Sequence, residues 1–108
     1  MTTYFENLVE ATDEYYQLDV IMNAYELLEQ IVKYDEQSTL FWRERNEADN
    51  KHDERLYERE FDEATGKVVA FAIAYKNATS REIVPCASAA RAEMIWLRET
   101  FELDELLA

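Results

Sequence analysis

Apolar residues recur at intervals of three and four through the first third of the chain, then alternate, then return to a helical interval near the C-terminus. Thr3 and Glu6 stand at capping-box spacing ahead of Tyr4, Phe5, Leu8, Val9 and Tyr16, which share one side of a helix. Glu6, Glu10, Asp13 and Gln17 fall on another stripe, with Glu14 beside it. Val20, Ile21, Ala24, Leu27, Leu28 and Ile31 continue the period to about Lys33. A break near residues 17–19 would give two helices of ordinary length, although neither Gly nor Pro marks it.

Beyond Ser38 the pattern changes. Leu40, Phe41 and Trp42 open a short aromatic segment, and the polar stretch 46–53 reads as a loop. Residues 62–67, Asp-Glu-Ala-Thr-Gly-Lys, place the chain's only glycine where a turn wants a left-handed residue, between two strand-like runs. The second run, 68–75, is apolar on both faces, as a central strand would be. The first run, 54–61, is charged and fits either a strand or a short helix ending at Gly66. After Pro85, Ala89, Ala90, Met94, Leu97 and Phe101 resume helical spacing, widened by Ile95 and Trp96. The expected fold is therefore α+β: two N-terminal helices, a short antiparallel sheet with a hairpin turn at 62–67, and a C-terminal helix. A length of 108 residues implies one domain, 1–108.

Composition supports folding: 48% of residues are hydrophobic and 13% aromatic, well above a disordered acidic tail. The single Cys86 leaves no internal disulfide and points to a reducing compartment. Residues 1–9 lack a basic region and carry Glu6, unlike a signal peptide, and the longest apolar run, 68–75, is too short to cross a bilayer. A cytoplasmic protein without membrane association is expected.

Charge changes the functional picture more than the fold. The net charge is −13, distributed as −8 over residues 1–36, −4 over 37–63, +3 over 64–92 and −4 over 93–108. Such a field repels phosphate and attracts basic surfaces. Direct nucleic-acid binding fails on sign, since affinity there rests on Lys and Arg neutralising phosphates. Arg43, Arg45, Arg55 and Arg59 interleave with Glu44, Glu54, Glu58 and Glu60, which suggests cross-strand ion pairs.

Catalytic and cofactor chemistry finds little material. One glycine cannot build a phosphate-binding loop, and one His with one Cys cannot complete a structural zinc site. His52 lies in polar surroundings; Cys86 follows Pro85 at a helix start, where a lowered thiol pKa is conceivable but a buried structural role is the simpler reading. Acids at Glu47, Asp49, Asp53, Glu54 and Glu58 invite a calcium test, but an EF-hand register from Glu47 puts His52 where glycine is required. No catalytic residue, cofactor or metal site is assigned. A paired-carboxylate enzyme has no marked pair.

The carboxylates themselves are the candidate site. On a helix, Glu6, Glu10 and Asp13 step by roughly 4.5 to 6 Å; on a strand, Glu54, Glu58, Glu60 and Asp62 would share a face at ~6.6 Å per pair of residues. Both spacings resemble that of phosphates along a nucleic-acid strand. Glu6, Glu10, Asp13 and Glu14, with Glu54, Glu58, Glu60 and Asp62 as a second patch, are thus expected to bind a basic partner. That partner would be a nucleic-acid-binding enzyme or regulator, inhibited by mimicry in the manner of anti-restriction, anti-CRISPR or nuclease-inhibitor proteins. The alternative is a structural or adaptor protein that self-associates, as a homodimer for instance, or docks a partner through aromatics; Tyr15, Tyr25, Tyr34, Trp42 and Trp96 are its candidates.

Overall fold

A computed structural model describes residues 14–101, with side chains from residue 21 onward. It consists of three helices: α1, Glu14–Glu47; α2, Lys51–Thr79; and α3, Ala87–Phe101. No strand occurs among the described residues, so the α+β expectation is overturned in favour of an all-helical bundle. The sheet and its hairpin turn at 62–67 do not exist, because that stretch lies inside α2.

Why the middle of the chain is helical follows from its composition. Residues 68–75 are apolar at every position, so alternation and helical periodicity fit them equally. Length then decides: α2 runs 29 residues, far beyond a strand, and its flanks are rich in Glu, Lys, Arg and Ala, all good helix formers. Gly66 is absorbed within the helix at a cost of about 0.5–1 kcal/mol relative to alanine. The expected break at 17–19 is also absent, since α1 passes straight through it for 34 residues. With neither Gly nor Pro there, nothing interrupts the backbone ladder. The expected loop 46–53 shrinks to 48–50, and the expected C-terminal helix is present as α3.

Side-chain caps define the ends. Asn50 takes an extended backbone and its Oδ1 accepts from the Asp53 N–H at 2.9 Å, while its Nδ2 donates to Asp53 Oδ2 at 3.1 Å. At the other end Ser80 turns left-handed, with φ 63°, and its N–H donates to the Lys76 carbonyl at 2.7 Å. The start of α3 is capped from another helix: Asp35 Oδ2 of α1 accepts the Ala87 N–H at 2.6 Å.

The core is Ile21, Ala24, Tyr25, Leu28 and Ile31 of α1, Val68 and Tyr75 of α2, and Ala90 and Leu97 of α3. Fully buried Ala24 and Ala90 put no bulk between the helices that carry them. Because α3 has only 15 residues and starts beside Asp35, it covers one half of the longer α1–α2 hairpin. The other half extends as a two-helix arm. The principal extents of 57 × 26 × 20 Å and a radius of gyration of 17.0 Å reflect it; a globular chain of this length would measure about 13 Å. No helix among the described residues is long and apolar enough to cross a membrane.

Candidate functional site

Between Ser38 and Ala64 no residue is buried, although the segment carries Leu40, Phe41, Trp42, Leu56, Tyr57 and Phe61. Trp42 is 44% exposed and rests against Phe61, with ring centroids 4.9 Å apart. The Arg45 guanidinium lies over the Trp42 ring at 4.9 Å and reaches across to α2, where Glu54 stands 3.3 Å and Glu58 3.8 Å away. These pairs join helices rather than strands, which corrects the cross-strand expectation for Arg45. The arm thus presents an aromatic pair bordered by one cation and a row of carboxylates.

The helix redistributes the predicted second patch. Glu54, Glu58 and Asp62 follow one another at intervals of four and form a single stripe, with steps of about 6 Å along the axis. Glu60 leaves that stripe. It borders a small concavity on the opposite side of the hairpin, with Tyr34, Gln37, Phe41, Glu63 and Lys67. The predicted common face of Glu54, Glu58, Glu60 and Asp62 required a strand and does not survive its loss. Of the first patch, Glu6, Glu10 and Asp13 lie outside the described residues, and Glu14 is described only as the first residue of α1. Its backbone is about 46 Å from that of Arg45 along the helix, so Glu14 stands far from the Glu54, Glu58 and Asp62 stripe.

The aromatic candidates separate in the same way. Tyr25 is buried, Tyr34 is half-buried and stacks on Phe71 at 5.8 Å, and Trp96 is half-buried beneath Arg81. Tyr15 lies outside the described side chains. Among the described candidates only Trp42 combines exposure with a neighbouring acid stripe.

A second polar constellation was not anticipated. Glu93 is buried on the core-facing stripe of α3 and receives the Tyr75 hydroxyl at 2.6 Å, Arg81 Nε at 2.7 Å and Arg81 Nη2 at 2.9 Å. Arg81 in turn lies 3.6 Å from the Trp96 ring centroid. Burial pushes the Glu93 carboxyl up, but the Arg81 and Tyr75 bonds and the Arg81 charge outweigh it and leave it below the ordinary range. Burial, then the neighbouring carboxylate, raises the Tyr75 hydroxyl far above its usual value. Both carboxylate oxygens are engaged, so the cluster ties the 80–86 loop to α2 and α3 and offers no spare base. The sequence signal was available: Glu93 shares helical spacing with Ala90 and Leu97, positions read as core.

Among the described residues neither reactive side chain gains a catalytic partner. His52 is exposed in the first turn of α2. Cys86 is half-exposed, with Sγ 3.3 Å from Ser88 Oγ, which corrects the buried structural reading. The Ser88 hydroxyl and then the Ala89 backbone lower its thiol pKa, against burial and the Asp35 charge. Among the described residues no group of three or more His, Cys, Asp or Glu side chains could hold a metal ion. Comparison with family models, curated proteins and solved structures finds no match for this chain.

Proposed function

We propose that this chain is a non-catalytic binding protein whose arm captures a basic protein surface of the kind that otherwise holds nucleic acid. The observation that carries the reading is the Glu54, Glu58 and Asp62 stripe beside exposed Trp42, on an arm that contains no buried residue. A stable core lies elsewhere, so this surface is free to evolve for contact. The net charge of −13 would draw a cationic groove toward it, and the aromatic pair would supply the desolvated centre that acids alone lack. Arg45 neutralises part of the stripe, so Asp62 is its carboxylate without an ion pair to that cation. A cytoplasmic setting fits the single free thiol.

The exposure of Trp42 also favours a second reading, an adaptor that docks an apolar partner. Salt separates the two. The test is capture from host lysate with wild-type bait, elution across a salt gradient, and competition by duplex DNA and by RNA. A nucleic-acid-binding protein that elutes at moderate salt, is displaced by nucleic acid, and is lost from the triple variant Glu54→Lys, Glu58→Lys, Asp62→Lys supports mimicry. A salt-resistant partner lost only with Trp42→Ala supports the adaptor. If all four substitutions together leave capture unchanged, the arm is not the binding surface. A parallel variant reversing Glu6, Glu10, Asp13 and Glu14 tests the other predicted patch.

A further inference from the structure

The outer face of α2 exposes the apolar side chains Val69 and Ile73. Asp62, Gly66, Val69, Ile73 and Lys76 recur at intervals of four and three and therefore share one stripe, turned away from the buried Ala64, Val68, Tyr75 and Thr79. All five are exposed, Val69 by 42% and Ile73 by 55%. Gly66 has nothing within 4 Å of where a Cβ would lie, and its φ is not positive. The helix therefore bears a glycine's cost with no turn, close approach or left-handed backbone inside the chain to require it.

The stripe is complementary to itself. Asp62 precedes Val69 by seven residues and Lys76 follows it by seven, ~10.5 Å to either side. A two-fold axis at Val69, relating two antiparallel copies of α2, sets each Asp62 opposite the other copy's Lys76. The same operation brings Ile73 within one residue, ~1.5 Å along the axis, of the other copy's Gly66, so the missing side chain makes room for the bulky one. Lys76 already donates to Glu82 at 2.5 Å, but that pair is exposed and an ammonium has three donors, so it can hold both carboxylates. Residues 64–92 are also the one stretch with a positive balance, +3, so two copies repel least there.

We propose that a second copy of this chain covers this face, forming an antiparallel α2–α2 homodimer centred on Val69. The proposal shares Asp62 with the arm's acid stripe, but it is tested on self-association of the purified protein and so stands or falls without the arm's partner.

Sedimentation equilibrium over a wide concentration range tests it, with circular dichroism of each variant to show that α2 persists. Wild type should dimerise. Ile73→Asp, at an exposed position, should keep its helicity and raise the dissociation constant by about a hundredfold or more. Lys76→Asp should weaken the dimer by roughly tenfold through facing carboxylates, and adding Asp62→Lys should restore it. Gly66→Leu should weaken the dimer while stabilising the monomer, two effects of opposite sign that a purely structural role for this position would not produce. With Cys86 replaced by Ser, Val69→Cys should oxidise to a covalent dimer and Glu44→Cys should not. A wild-type chain that stays monomeric throughout, or a dimer indifferent to Ile73→Asp and to the charge swap, overturns the proposal. Neither result would bear on whether the arm binds a basic partner.

Discussion

Ser80 is the non-glycine residue with a left-handed backbone among those described, while the only glycine of the chain sits mid-helix at position 66. Each would serve better at the other's place. Gly66→Ala adds a methyl group into open space and should stabilise the monomer by about 0.5–1 kcal/mol. Ser80→Gly relieves the Cβ crowding of φ 63° and should add up to about 1 kcal/mol. Denaturant titration at concentrations where the chain is monomeric checks both. The pairing also explains a misreading: a lone glycine after Asp-Glu-Ala-Thr carries the chemistry of a turn, and nothing local says that the helix on either side will override it. Glu93 is the opposite case: its helical spacing with Ala90 and Leu97 marks a core-facing position, although it was not anticipated. Removing it as Glu93→Gln should cost about 2–3 kcal/mol, because Arg81 loses its bidentate partner. The pH dependence has a definite sign. The folded carboxyl is held below its unfolded value, so its contribution is complete above the ordinary carboxylate range and fades as pH falls through the depressed folded pKa. Other acids relieve mutual repulsion over the same range, so the difference between wild type and Glu93→Gln, measured from pH 6 downward to about 3, isolates this group and should shrink toward acid.

At the scale of elements, the helices whose apolar residues were spaced at three and four were legible, and the one with a continuous apolar run was not. The spacing from Val20 to Ile31 and from Ala89 to Phe101 anticipated the core-facing stripes of α1 and α3. In α2, unbroken apolarity over 68–75 erased the period that distinguishes helix from strand, and burial on one side with exposure of Val69 and Ile73 on the other arises only from tertiary packing. The candidate site suffered with it. Three of the four acids in the second patch still share a face, because intervals of four suit a helix as well as intervals of two suit a strand, and Glu60 left that face when the period changed. Long-range caps were invisible for a related reason: Asp35 and Ala87 are 52 positions apart, and nothing local links them. Asp35→Ala should therefore cost about 1 kcal/mol and act on α3 before the rest of the bundle. Native-state hydrogen exchange should show the amides of the first turn of α3 losing protection, with those of residues 64–79 in α2 unchanged; equal loss in both would mean that α3 does not open on its own.

For the whole molecule, stability and contact surface are divided along the long axis. Core side chains gather where α3 braces the α1–α2 hairpin, and buried Tyr75 and Glu93 with part-exposed Arg81 close that end. Among the described residues no third helix lies along the arm. It is held by Trp42 on Phe61, by Arg45 with Glu54 and Glu58, and by the Asn50 cap, all solvent-accessible to some degree. Exposed ion pairs of this kind contribute about 0–1 kcal/mol each and weaken with salt. The arm should consequently open at lower free energy than the braced half. Hydrogen exchange read along one continuous helix offers a sharp comparison, because amides near Leu28 and near Arg43 belong to the same α1 and differ in what covers them. Those around Arg43 should exchange by local opening, faster than those around Leu28 by a margin that Trp42→Ala widens. Saturation with a partner bound at the arm should close that gap, whereas a partner bound elsewhere should leave it. Uniform protection along α1 would mean that the hairpin opens as one unit, and the division between core and arm would then have no energetic content.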